Sequence, residues 1–192
     1  MATKILHKKS VAIVTQDVSS SHVVSNPAPC QKPALTKTLT VKSKPVQKPK
    51  SRFDDATQRL LDDYRSISDM SGERFEVFCG QLLSAYGFVD VERIGRTGDQ
   101  GVDLLVTWGD TRYAIQCKRY KNALGNTAVQ EVFAGKSYYQ CDIAVVLTNS
   151  TFTKGAKELA AKIGVELWDC HRLSQYMNIV LRNASKKIAV DG

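Results

Sequence analysis

Acidic side chains are almost missing from the first 52 residues of this chain, and aromatic ones are missing altogether. That stretch carries ten Lys and Arg against one acid, Asp17, with no Phe, Trp or Tyr. Rich in Lys, Ser, Thr, Val and Pro, including Lys42-Ser43-Lys44-Pro45 and Lys48-Pro49-Lys50, it has no aromatic anchor on which to build a core, so residues 1–52 are expected as a disordered basic tail. Two uses fit such an arm, non-specific contact with DNA phosphates and plain solubility or linkage, and composition does not choose between them.

Cysteine pairing signals are missing too. Cys30, Cys79, Cys117, Cys141 and Cys170 are odd in number and form no C-x-x-C pair, which argues against a disulfide framework and against a zinc site. They read as reduced, small apolar residues of a cytoplasmic protein. No long hydrophobic run exists at the start: Val11-Ala12-Ile13-Val14 soon meets Gln16 and Asp17, too short for a signal-peptide core or a membrane span. His7, His22 and His171 lack metal-ligand spacing, and His171 reads as a helix-start residue. There are no internal repeats.

What is present amounts to one ordinary domain plus an appendage in 192 residues. The net charge of +8 is not spread evenly: residues 1–52 hold +9, whereas residues 53–192 hold seventeen basic and eighteen acidic side chains, or −1. A nearly neutral domain still binds a polyanion if its cations are clustered, so local arrangement must decide.

Phe53, Ala56, Leu60, Leu61, Tyr64 and Ile67 recur at helical spacing and predict a linking helix within 53–70. Ser71 then looks like an N-cap, and Phe75, Phe78, Cys79, Leu82, Leu83 and Tyr86 form one apolar face that ends at Gly87. Extended segments follow at 89–94, 102–108 and 112–119, the last two joined at Gly109-Asp110 as a hairpin. A helix over 127–139, a buried strand over 143–147, a helix from Thr153 to Ile163 stopped by Gly164, a strand over 165–168 and a helix through Leu181 complete the chain. The order α-β-β-β-α-β-α-β-α implies an α/β fold, a mixed central sheet flanked by helices. The folded unit is expected over 71–182, with residues 183–192 as a C-terminal tail.

Strand alternation concentrates polar groups on one face of that hairpin. Asp103 shares a face with Leu105, and Gln116 and Lys118 share one with Ala114; the register that puts both apolar sets in one core brings Asp103, Gln116 and Lys118 out together. Glu76, at the edge of the apolar face of the preceding helix, is expected to look down on them, with Gly80 leaving space beside it. Charges in otherwise apolar strands persist when they are paired or bind metal. A phosphodiester gathers negative charge in its transition state, and a hard cation such as Mg²⁺ (or Mn²⁺) held by Asp103, Glu76 and the Cys117 main-chain carbonyl would offset it, with Lys118 as a further point charge. Arg119 and Lys121 are expected at DNA phosphates and Gln130 in the cleft, whereas Glu131 reads as helix surface. Asp99, in the Gly-rich loop, is carried as a further candidate for the metal or its water.

The run Phe75-Glu76, the block Gly98-Asp99-Gln100-Gly101-Val102-Asp103-Leu104, the tripeptide Gln116-Cys117-Lys118, the stretch Ala128-Val129-Gln130-Glu131-Val132 with Ala134-Gly135-Lys136, then Thr148-Asn149-Ser150-x-Phe152-Thr153 and Leu167-Trp168-Asp169 closely resemble the Mrr-like restriction endonuclease family. The match runs over about residues 71–176. The resemblance implies the PD-(D/E)xK nuclease fold with its αβββαβ core and Mg²⁺-dependent DNA cleavage. It also implies Asp103 as central metal ligand, Glu76 as helix carboxylate, and Gln116 with Lys118 as the family's variant of the (D/E)xK pair. Larger members carry a separate DNA-recognition domain where this chain has a basic tail and one helix. A junction-resolvase-like nuclease and a non-cleaving DNA-binding module are the alternatives, and a homodimer is the arrangement through which two sites would cut both strands.

Overall fold

The structure, a computed structural model, describes residues 53–94, 98 and 100–191. The expected tail over 1–52 and Asp99 lie outside the described residues. Helix α1 (Asp55–Arg65) starts at an Asp54 cap whose carboxylate accepts from Thr57 N at 2.8 Å. Helix α2 (Gly72–Tyr86) starts where Ser71 Oγ accepts from Arg74 N and stops at Gly87, whose φ of +127° an L side chain rarely adopts. Arg74 donates to both carboxylate oxygens of Asp63, at 2.8 and 2.9 Å, and ties the two helices together.

Strands β1 (Val89–Arg93), β2 (Leu104–Trp108), β3 (Thr111–Lys118), β4 (Ile143–Thr148) and β5 (Val165–Trp168) form one sheet in chain order. The first three pair antiparallel, and β3–β4 and β4–β5 pair parallel. The parallel pairs are crossed over by α3 (Asn126–Tyr138) and α4 (Lys154–Ile163), and α5 (Cys170–Asp191) follows β5. This is the mixed sheet with an αβββαβ core that the sequence pattern predicts.

Alternation splits the sheet between two cores. On one face Leu104, Val106, Ile115, Cys117, Val145 and Leu147 meet α2 and α5 through Phe75, Phe78, Leu82, Leu83, Leu173 and Met177. On the other, Leu105, Ala114, Ala144 and Val146 meet α3 and α4 through Val129, Val132, Ala156 and Ala160. Each fully buried Phe, Leu or Met stabilises by about 1.5–3 kcal/mol, so the first face, with most of the large side chains, anchors the scaffold. The smaller residues of the second let α3 approach β3 closely.

Several boundaries differ from expectation. β2 begins at Leu104 rather than residue 102, because Val102 turns into the α3 side with Leu105 and breaks the alternation. β3 ends at Lys118, not at 119. Helix α5 does not stop at Leu181 but continues to Asp191: neither Gly nor Pro interrupts 182–191, and Ser185 Oγ donates back to Leu181 O within the helix. Cys79, Cys117 and Cys141 are the free thiols expected. Among the described residues no helix is long and apolar enough to cross a membrane.

Candidate active site

Because Leu104 stands opposite Ile115, the next position outward puts Asp103 beside Gln116, at the end of the hairpin away from its turn. Asp103 N donates to Ile115 O at 2.9 Å and fixes the approach to β2. Asp103 Oδ2 accepts from Gln116 Nε2 and from Cys117 N, both at 2.6 Å. The two side chains are only 7% and 5% exposed. Removing an ion from water costs several kcal/mol, and hydrogen bonds to a charged group return about 1.5–3 kcal/mol each, so two short bonds offset much of the cost of burying the Asp103 carboxylate without making it a source of net stability.

Gln116 therefore does what a second carboxylate could not. Its amide donates to Asp103, where another acid would repel it.

Lys118 leaves β3 on the same face and meets α3, with Nζ 3.1 Å from Glu131 Oε2. The pair is about a third exposed on either side, so its worth to stability is no more than about 1 kcal/mol. Glu131 was expected on the helix surface; its side chain, about two-fifths exposed, is also the one that meets Lys118. Its position, three residues after Ala128 and four before Gly135, falls on the buried stripe of α3, a spacing signal that the neighbouring polar Gln130 obscures. Gln130 itself is exposed.

Glu76 comes from α2, on the opposite face of the sheet, and is half-buried. Its link to the cluster runs through Cys117: burial first, then the adjoining Cys79 thiol, then the carboxylates of Asp103 and Glu76 push the Cys117 thiol well above its ordinary pKa. Gly80 leaves less room than expected, since Leu104 and Val91 already stand 3.5 Å from where its Cβ would be.

No group of three or more His, Cys, Asp or Glu able to hold a metal occurs among the described residues, which disfavours zinc and other ions that want an all-protein cage. An ion such as Mg²⁺, which keeps several of its waters, needs fewer protein ligands, and Asp103 brings a buried carboxylate oxygen to the strand end.

The chain leaving Lys118 is stitched to the segment after β4. Thr148, fully buried, donates its hydroxyl to Lys118 O at 2.6 Å and accepts from Ser150 N at 3.2 Å. Asn149 Oδ1 accepts from Tyr120 N, and Ser150 Oγ donates to Asn122 O, each at 2.8 Å. Leu124 and Phe152 then form a parallel bridge. This accounts physically for the Thr148-Asn149-Ser150-x-Phe152-Thr153 motif. Thr148→Val, which keeps the shape and removes the hydroxyl, is expected to lower the unfolding free energy in urea by about 1–3 kcal/mol. Thr148→Ser, which keeps the hydroxyl, should lose less, about the 0.8 kcal/mol of one buried methyl.

Arg119 points to the other face, where its Nη1 donates to Ser68 O at 2.9 Å in the α1–α2 loop. Lys121 is exposed beyond the strand end. His171 N donates to Asp169 Oδ1 at the start of α5, the helix-start role expected of it. A cleft of about 520 Å³ lies apart from the cluster, between α1, α2 and β1, and is lined by Arg59, Gln81 and Ser84 among others, with no acid or imidazole for hydrolytic chemistry.

The Mrr catalytic-domain family, described as restriction endonuclease, matches residues 67–177. The type IV methyl-directed restriction enzyme EcoKMrr of Escherichia coli (strain K12) is 29% identical over 142 residues, which cover 67% of this chain and 47% of that enzyme. The chain thus spans about half the length of that relative. Among solved structures, the DNA modification-dependent restriction endonuclease AspBHI is 21% identical, with a TM-score of 0.45 over 78% of this chain and 40% of its own. The MspJI restriction endonuclease, solved with a 27-mer oligonucleotide, is 18% identical, with a TM-score of 0.47 over 76% of this chain and 37% of its own. By the family match over more than half of its length, this chain belongs to the Mrr-like restriction endonucleases, with the family's catalytic domain over residues 67–177.

Proposed function

We propose that this chain is a Mg²⁺-dependent DNA endonuclease of restriction type, hydrolysing phosphodiester bonds at the strand-end cluster of Asp103, Glu76, Gln116 and Lys118. The observation that carries the reading is the buried Asp103 carboxylate, held by two 2.6 Å hydrogen bonds at the strand end where Lys118 emerges. A fold has no structural need for such a group, since an apolar residue there would be no less stable.

Asp103, Glu76 and the Cys117 carbonyl would hold the ion. When bound, Mg²⁺ or Mn²⁺ lowers the pKa of a coordinated water and screens the scissile phosphate. Gln116 fixes the Asp103 carboxylate so that it need not reorganise when charge develops. Lys118 Nζ places a compact positive charge beside the phosphate. Lys121 and Gln130, both exposed, are the DNA contacts of this reading, and Arg119 joins them through the part of its guanidinium not engaged by Ser68. The basic tail adds non-specific phosphate attraction, a homodimer would deliver two such sites to the two strands, and the cytoplasm is where its substrate would be met.

The test is a supercoiled-plasmid assay with Mg²⁺, with EDTA, and with Lys118→Ala, on unmethylated and methylated DNA and on branched duplexes. Cleavage by the parent chain that stops with EDTA and falls by about 10²–10³ in Lys118→Ala is expected. Equal cutting by the parent and Lys118→Ala would remove Lys118 from the site, and preference for branched over linear substrate would favour a resolvase-like activity.

A further inference from the structure

Glu131 is the group of this cluster that the family reading leaves without a task. Its Oε2 is buried and accepts no hydrogen bond among the described residues, yet it stands 3.1 Å from Lys118 Nζ. That ion pair is the contact the Glu131 side chain makes among the described residues. The helix backbone at the same residue supports the loop that leads to Asp103: a Cβ on Gly101 would fall 2.8 Å from Glu131 C and Cβ and 2.9 Å from its O. One residue of α3 thus touches both halves of the cluster, the Asp103 loop through its main chain and Lys118 through its side chain.

We propose that Glu131 is a positioning residue of the reaction, holding the Lys118 ammonium on the face it shares with Gln116 and in register with Asp103. The inference rests on the nuclease reading above and deepens it. Lys118 is fixed at its main chain, where Thr148 Oγ1 donates to its carbonyl, but its side chain ends a strand and is about a third exposed. Four rotatable bonds separate that anchored backbone from the charge, and among the described residues Glu131 is the acid that meets the ammonium.

The sign of the effect follows. Glu131→Gln keeps shape and removes the hold on Lys118, so kcat for plasmid cleavage should fall about tenfold. It also removes a negative charge near the DNA phosphates, so KM should stay level or fall rather than rise. A merely structural Glu131 would lower the melting temperature and leave that split unseen. Glu131→Asp, which keeps the charge one methylene further back, should recover part of the loss.

A second readout does not depend on cleavage: the ¹⁵N resonance of the Lys118 ammonium should be sharp in the parent chain and broadened in Glu131→Gln by exchange with water. Unchanged kcat in Glu131→Gln, or an unchanged Lys118 resonance, overturns the proposal. If the parent chain does not cut at all, the nuclease reading fails by itself, and the resonance alone then decides whether Glu131 holds Lys118.

Discussion

Asp103→Asn is expected to cut Mg²⁺-dependent cleavage by about 10³-fold while the chain stays folded. The substitution separates two things that alanine would confound. Alanine would strand Gln116 Nε2 and Cys117 N, both of which donate to Asp103 Oδ2 at 2.6 Å in a site less than a tenth exposed. Each orphaned buried donor would cost about 1–3 kcal/mol, enough to blur a catalytic defect with unfolding. An asparagine whose amide oxygen takes the place of Oδ2 still accepts from both Cys117 N and Gln116 Nε2, so the hydrogen bonds survive and the charge goes. Single-turnover cleavage at saturating Mg²⁺, alongside a thermal melt, measures both. A folded Asp103→Asn that cuts at the parent rate would sink the site, whatever the family match.

That expectation was reachable from sequence because a strand has the simplest of periods. Asp103, Gln116 and Lys118 are separated by the spacings that put them on one face once Leu104 pairs with Ile115, and the apolar residues between them leave no other register that buries both sets. The helix start at Ser71 and the stop at Gly87 were legible for a similar reason, since capping chemistry is local.

What stayed hidden depends on contacts between elements. Val102 breaks the alternation because α3 pulls it to its own side, and no strand rule contains α3. Glu131 looked like surface because helix polarity was judged from Gln130 and Glu131 together, although only the second lies between Ala128 and Gly135 on the buried stripe. Glu76 was expected above Asp103 on a common side. It belongs instead to the helix packed on the far face. The end of α5 was missed because the apolar stripe fades after Leu181 while helix-forming residues continue, so pattern and propensity disagreed there.

Gly135→Ala is expected to destabilise the domain by about 3 kcal/mol, against the direction that helix propensity alone would give. In an exposed helix the exchange would stabilise by about 1 kcal/mol. Here the added Cβ would fall on Val102 Cγ2 and within 2.5 Å of Gln100 O. Val102 is fully buried and cannot retreat, and Gln100 offers backbone rather than a movable side-chain end, so α3 or the loop must shift. Gly101 faces the same seam from the loop side, with φ +75° and the Glu131 backbone under 3 Å away, so a methyl there meets both a clash and an unfavourable backbone conformation. The seam sets the distance between the loop feeding Asp103 and the helix facing Lys118, so cleavage should fall further than the folded fraction does. Urea unfolding of Gly135→Ala, followed by cleavage at a temperature where it is fully folded, separates the two losses. Parent-like stability would show that α3 does not clamp the loop, and parent-like cleavage in a destabilised variant would show that the clamp supports the fold without setting the geometry of the reaction.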